Sequence, residues 1–454
     1  MRSMRFHADD GSTRYRAINR SNVTRMPQWS RLDPELREAI LVVSKVLPFR
    51  TNEYLVRDLI DWDRVPDDPI FQLTFPQREM LEEEQYLDLR DLLADGADPD
   101  RANDLVTRIR GWLNPHPGGQ MTHNVPLLDG RPLAGVQHKY RQTVLFFPSR
   151  GQTCHAYCTF CFRWAQFVGM EDLKFAARDA DQLAAYLRVH PEVTDVLITG
   201  GDPLIMKAHV LARAIEPLLE IESLSTIRIG TKAPAYWPHR FVTDPDADDL
   251  MRLFSRIVAT GRHLALMAHF SHPVELSTPI AQLALRRIRS TGANIRMQSP
   301  VLRHINDSPR VWEQMWSQGV RLGAIPYYMF VERDTGARSY FEIPLIHCWN
   351  IFRKAYQNVS GMARTVRGPS MSCLPGKCHV LGVTDVGSQR AFVLEFLQAR
   401  DPNLVRRPFF ARFDPTATWY DDLVPLSDRD EPFFIADQPA GTSLTELTIG
   451  GQDD

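Results

Sequence analysis

Three of the six cysteines in this 454-residue chain fall within eight residues, in Thr153-Cys154-His155-Ala156-Tyr157-Cys158-Thr159-Phe160-Cys161-Phe162-Arg163. The spacing C-x3-C-x2-C lets one tight loop present Cys154, Cys158 and Cys161 as thiolates to a four-iron four-sulfur (4Fe-4S) cubane whose fourth iron has no protein ligand. An open iron can bind something else. A structural zinc ion is the alternative, but zinc asks for four protein ligands, normally from paired C-x2-C or Cys/His elements. Six cysteines are too few for a disulfide scaffold, and in a reducing compartment clustered thiols read as metal ligands or catalytic groups. Cys348, Cys373 and Cys378 are poorly spaced for a second metal and are expected to be ordinary buried thiols.

Such a loop needs a scaffold that brings other chemistry to it. From about residue 143, short apolar runs alternate with longer amphipathic segments, the pattern of βα units around a parallel sheet. The expected strands are Val144–Pro148, Asp195–Thr199, Thr226–Gly230, His263–Ala268, Asn294–Gln298 and Gly323–Tyr328. The expected helices are Asp179–Val189, Ala208–Leu219, Asp246–Thr260, Thr278–Ser290, Arg310–Gln318 and Pro344–Asn358. Six consecutive units predict an α/β partial barrel rather than a closed eight-fold one. In barrel folds the catalytic loops leave the C-terminal ends of the strands. The chemical-looking segments here do so: the cysteine loop, Gly200-Gly201-Asp202-Pro203, Gly230-Thr231-Lys232, His269-Phe270-Ser271-His272, Gln298-Ser299-Pro300 and Glu332-Arg333-Asp334. That arrangement predicts one site. Residues 1–140 read as a helical and irregular N-terminal extension, with helical periodicity from Leu36 to Leu47 and the capacity to form an oligomer. The acidic, Gly/Thr-rich stretch from Asp430 onward is expected to fray.

Composition narrows the ligand class. Lysine plus arginine number 53 against 55 acids, which gives no electrostatic reason to expect nucleic acid or an anionic membrane. A small molecule is the better expectation. Met1 to Asn22 lacks the apolar core of a secretory signal, and no stretch approaches the ~18 apolar residues of a membrane span, so a cytoplasmic location is expected.

The cysteine spacing, with an aromatic residue just before the last cysteine, resembles the signature of the radical S-adenosylmethionine (SAM) superfamily. There the open iron chelates SAM, and one electron from the cluster cleaves it to methionine and a 5′-deoxyadenosyl radical. Gly200 and Gly201 resemble that superfamily's loop for the SAM amino group, where missing side chains let backbone carbonyls approach the ligand. Asp202, His269 and Gln298 are further candidates for cofactor binding, with His272 nearby.

The order Cys-x3-Cys-x2-Cys-Phe-Arg, Val-Leu-Ile-Thr-Gly-Gly-Asp-Pro-Leu, Ile-Arg-Ile-Gly-Thr, His-Phe-Ser-His-Pro, Pro-Tyr-Tyr and Pro-Gly-Lys resembles, from about residue 110 to 385, the lysine 2,3-aminomutase family. The resemblance implies a radical SAM barrel at 141–360 and a C-terminal segment, 361–454, that carries pyridoxal phosphate (PLP) as a Schiff base on Lys377. It implies an isomerase that moves an amino group from C2 to C3. Arg163 matches the arginine that clamps the substrate carboxylate, a task suited to a planar bidentate donor. Lys139 and Arg141 are candidates for the PLP phosphate, while Thr143 stands where the family has an arginine. Lysine-specific members hold the distal ammonium with two aspartates; the matching positions here are Arg333 and Ser370. An arginine facing an ammonium is repulsive, so an acidic amino acid is the favoured substrate, with Arg333 and Asp334 as its contacts. Glu332 and Asp334 flank Arg333, and a one-residue shift restores an acid, so lysine itself is the alternative, as is a radical SAM enzyme without PLP. The resemblance also implies an electron donor of flavodoxin or ferredoxin type and a homo-oligomer.

Overall fold

The computed structural model describes residues 14–94, 99–114, 124–169, 175–177 and 180–435. All six expected strands are present, as β6 (Thr143–Phe146), β7 (Asp195–Ile198), β8 (Thr226–Thr231), β9 (His263–His269), β10 (Asn294–Val301) and β11 (Ala324–Val331). They pair in chain order and all parallel. Helices Ala180–Arg188, Ala208–Ile215, Ala247–Ala259, Pro279–Ser290, Pro309–Leu322 and Leu345–Gln357 follow the strands. The Asp179 start of the first lies outside the described residues.

Period-two burial explains the layering. Val196 and Ile198 in β7, and Ile227, Ile229 and Thr231 in β8, are buried, whereas Asp195, Leu197, Thr226, Arg228 and Gly230 are half-buried. The buried apolar residues join Leu183, Leu187, Leu211, Ile215, Leu250 and Phe254 of the helices in one core. Each such side chain withdrawn from water stabilises the fold by about 1.5–3 kcal/mol. The opposite face carries polar groups.

Two features depart from the expected layout. The sheet has eleven strands rather than six, in the order β15-β14-β13-β12-β11-β10-β9-β8-β7-β6-β5. β5 (Val136–Tyr140), placed by the sequence in a helical and irregular region, runs antiparallel to β6. Beyond β11, β12 (Arg367–Ser372) is parallel, and β13 (Gly376–Val386), β14 (Gln389–Ala399) and β15 (Phe409–Arg412) are antiparallel. These last strands have their own core of Met371, Cys378, Phe396, Phe409, Trp419 and Phe433. The segment expected to fray is packed at its start: Phe433 stacks on Phe409 at 4.5 Å, and Asp430 accepts from the Phe410 N–H at 2.8 Å. The rest of that tail lies outside the described residues.

The N-terminal extension contains helices Pro34–Val46, Pro69–Thr74, Glu83–Ala94 and Pro99–Leu113. It also contains two small strand pairs: β1 (Ala17–Asn19) with β2 (Arg50–Asn52), and β3 (Leu127–Leu128) with β4 (Arg131–Pro132). Asp33 caps the first helix by accepting from the Leu36 N–H at 2.6 Å, worth ~1 kcal/mol. No helix among the described residues is long and apolar enough to cross a membrane.

Candidate active site

The cysteine loop follows β6 and is held mainly by the N-terminal extension. Tyr157 N–H donates to the Arg50 carbonyl at 2.8 Å and Thr159 N–H to that of Leu73 at 3.0 Å. Arg50 Nη1 donates to Thr153 Oγ1 at 2.7 Å and to the Cys154 carbonyl at 3.2 Å. Asn52, fully buried, donates through one amide to the His155 carbonyl at 3.3 Å and the Tyr236 carbonyl at 3.0 Å. Loops carry buried polar backbone only when it is paired, and here residues more than 80 positions away do the pairing.

The three thiols are half-buried and in no disulfide. Burial, then the neighbouring Cys158, pushes the Cys161 thiol up to about 12; burial also lifts Cys154 well above its ordinary value and raises Cys158. Thiolates here therefore require a compensating cation. Among the described residues no three His, Cys, Asp or Glu side chains lie close enough to share one metal ion. A cubane makes a different demand, each thiolate binding a different iron, so the donor set fits a cluster better than zinc.

Gly200 and Gly201 pack against this loop. A Cβ on Gly201 would sit 2.5 Å from both the N and O of Thr153, and one on Gly200, whose φ is +147°, would sit 2.3 Å from Gln152 Nε2. Gly201 N–H donates to the Gly151 carbonyl at 3.1 Å and Asp202 N–H to that of Thr153 at 2.7 Å. The missing side chains thus let the turn touch the cysteine loop itself. Asp202 is a brace: its carboxylate accepts from Leu204 N–H at 2.9 Å, Thr231 Oγ1 at 2.8 and 2.9 Å, and Lys232 N–H at 2.9 Å.

Three residues given no role from sequence adjoin the loop. Lys232 Nζ pairs with the fully buried Glu275 at 2.8 Å and lies 4.5 Å over the Tyr236 ring, whose Oη is 3.6 Å from Cys158 Sγ. Their signal was positional, since Lys232 is the first residue after β8. His269 stacks with Phe160 at 5.8 Å, and burial holds its pKa well below the ordinary imidazole range. His272 is engaged as a helix cap, accepting from Val274 N–H at 3.3 Å. Gln298 is half-buried at a bulge in β10.

Arg163 is 8% exposed and has no carboxylate partner among the described residues. It donates to Gln166 Oε1 at 2.8 Å, lies 4.4 Å over the Phe147 ring, and leaves Nε without a hydrogen bond. Burial lowers its pKa to about 10. A buried guanidinium short of an anion suits a carboxylate ligand.

Lys377 sits on β13 with its Nζ 4.1 Å from the centre of the Tyr328 ring. Burial, then Arg228, Arg367 and Lys139, lowers its pKa to about 7. An amine whose proton is this easily lost, set among cations, can attack an aldehyde beside a place for a phosphate, so the residues fit PLP. Lys139 donates to the Cys373 carbonyl at 2.5 Å. Arg367 stacks at 4.4 Å on each of Tyr327 and Tyr328. Arg228 is held by Asp195 at 2.5 Å, and Thr143, where an arginine was expected, donates through Oγ1 to the same carboxylate at 3.2 Å. Arg141 is exposed in the β5–β6 turn and is not brought to Lys377.

Arg333 lies between the Phe162 and Trp419 rings at 5.7 and 5.4 Å. It donates to the Ser372 carbonyl at 3.2 Å and stands 3.7 Å from Asp334. Glu332 is 6% exposed, and burial drives its carboxyl well above the ordinary range. Ser370 is fully buried, its Oγ without a partner.

No family model matches the chain. It is 32% identical over 392 residues to a protein of Aquifex aeolicus (strain VF5) described as "Putative L-lysine 2,3-aminomutase", covering 86% of this chain and 92% of that one. It is 28% identical over 232 residues to L-lysine 2,3-aminomutase of Bacillus subtilis (strain 168), and 29% identical over 199 residues to that of Clostridium subterminale. Those matches span 46% and 45% of the two relatives. Among solved structures, SuiB of Streptococcus suis bound to S-adenosylmethionine aligns over 60% of this chain and 56% of its own, with TM-score 0.35 and 11% identity. The Aquifex match runs nearly end to end through the cysteine loop, the glycine turn and the Lys377 strand, and on it the chain belongs to the lysine 2,3-aminomutase family of radical SAM isomerases.

Proposed function

We propose that the chain is an amino acid 2,3-aminomutase that uses a 4Fe-4S cluster on Cys154, Cys158 and Cys161, SAM, and PLP on Lys377, within a partial barrel of radical SAM type. One observation carries the PLP reading: Lys377, crowded by three cations, has a pKa of about 7 and lies against Tyr328. When bound, the cluster and SAM supply the hydrogen-abstracting radical and PLP the carbonyl chemistry that lets nitrogen migrate. Arg163 holds the substrate carboxylate, and its stacking on Phe147 fixes the fork before substrate arrives. Gly200 and Gly201 set the depth of the cysteine loop. Lys139, Arg228 and Arg367 provide positive charge for the phosphate.

The favoured substrate is an amino acid with an acidic side chain, met by Arg333. A second reading, free lysine, is supported by Glu332, a buried carboxylate that makes no hydrogen bond to the described residues and would gain from a cation. Turnover of glutamate, aspartate and lysine by the anaerobically reconstituted enzyme separates them. Efficient β-isomerisation of lysine would refute the acidic reading. A protein that cleaves SAM yet shows no PLP absorbance and no borohydride-trapped adduct at Lys377 would refute the PLP reading.

A further inference from the structure

Tyr236 ends the short helix Ala233–Tyr236, which follows β8 directly. Its ring is 1% exposed, and the only hydrogen-bond partner of its Oη among the described residues is the sulfur of Cys158, at 3.6 Å. A buried phenol needs a partner. While Cys158 is a thiol the sulfur can donate, but a thiolate has no proton, so with Cys158 on iron the phenol must be the donor. The Cys161 sulfur is met by the backbone N–H of Arg163, and no side chain among the described residues donates to Cys154 or Cys161. Among the described residues Cys158 is thus the one cluster cysteine whose sulfur meets a side-chain hydroxyl.

The surroundings hold this pair in register. The Asn52 amide that donates to the His155 carbonyl in the cysteine loop also donates to the carbonyl of Tyr236. Lys232 covers the ring face at 4.5 Å and is itself fixed by Glu275 at 2.8 Å and by Ser271 Oγ at 3.2 Å. Neither side of the contact is free to swing away.

We propose that Tyr236 sets the reduction potential of the cluster by donating a hydrogen bond to the Cys158 thiolate, an inference that rests on reading the loop as a cluster site. Reduction brings in one electron from an external donor of flavodoxin or ferredoxin type, which is itself oxidised by one electron. The cluster passes from the 2+ to the 1+ state, no proton moves, and the phenol keeps its O–H. The added charge spreads onto the sulfur ligands, so a donor aimed at one of them favours the reduced state and raises the potential. Tyr236 is a positioning residue for the electron, not a group that touches substrate.

The test is an EPR-monitored redox titration of the anaerobically reconstituted full chain, with dithionite as reductant and iron and sulfide counted. Tyr236→Phe is expected to keep its iron and move the midpoint to a more negative potential, so that less than half the cluster is reduced at the wild-type midpoint. An unchanged midpoint at full iron content overturns the proposal. Should Tyr236→Phe lose iron, protein grown with 3-fluorotyrosine in place of tyrosine decides. That phenol is more acidic and a stronger donor of similar shape, so the midpoint should move to a more positive potential; no movement overturns the proposal. Tyr54→Phe is the structural control, because Tyr54 is equally buried but bonds Thr278 at 2.8 Å; it should lower thermal stability without shifting the midpoint. A wild-type chain that takes up zinc rather than iron fails the cluster reading itself, and the proposal with it.

Discussion

At the two ends of the site burial moves the titrating groups in opposite directions. At the cysteine loop, burial pushes three thiols upward, and Arg50, Lys232 and Arg163 offset it only in part. At the β13 lysine, burial and three neighbouring cations push an amine downward, and the field is short of negative charge. Each end is organised by a different part of the chain: the loop by residues 50–73 of the N-terminal extension, the lysine by the antiparallel strands added after β11. Arg163 lies beside the cysteine loop, and its charge partly relieves the burial of Cys161.

The comparison breaks most sharply at the metal end. Cys158→Ala should abolish iron retention and SAM cleavage together, read by iron count and by 5′-deoxyadenosine release. Retained cleavage would end the cluster assignment. At the other end, Lys377→Met should eliminate aminomutation and the borohydride-trapped PLP adduct while leaving iron content unchanged. The sign of the pH effect follows from the lowered lysine pKa. Between about 7 and the ordinary value of 10.5 the unfolded chain binds a proton that the native chain does not, so stability should rise with pH across that window. Below about 7 this contribution is flat. Thermal melting of the PLP-free protein from pH 6.5 to 10 should show the slope, and Lys377→Met should flatten it.

Smaller effects sharpen the contrast. Arg163→Ala removes a charge-assisted contact worth about 2 kcal/mol, which corresponds to a ~30-fold rise in KM; iron content should not move. Gly201→Ala forces a Cβ into the Thr153 backbone. Overpacking of that kind costs roughly 1–3 kcal/mol, so melting should fall by a few degrees and cluster retention with it. Smallest of all, Arg141→Ala on the exposed turn should leave PLP affinity unchanged, while Arg367→Ala weakens it.

The legibility of these ends also differs. β6 to β11 were readable because each is an apolar run closed by a turn or polar loop, and the chemistry sits where each run stops. Cys154, Cys158 and Cys161 stood out as candidates because they cluster, and Lys377 through the resemblance carried by its Pro-Gly-Lys run, which the structure places at the start of β13. β5 was not readable, since Gln137-His138-Lys139-Tyr140 is too polar to pass as an apolar run; its register with β6 supplies what its composition lacks. Tyr236 was hidden for another reason. Ala233-Pro234-Ala235-Tyr236 looks like ordinary core, and nothing local announces that its hydroxyl reaches a sulfur 78 positions earlier. Arg141 looked as basic as Lys139, but two residues further along a hairpin place it in solvent.

The grip of Arg50 and Asn52 on the cysteine loop has a consequence for how the protein is handled. Shortened versions designed around the parallel strands alone, the usual minimal unit for expression, would discard the donors and acceptors that fix where the sulfurs point. Such versions should fold as sheets yet come off the column pale.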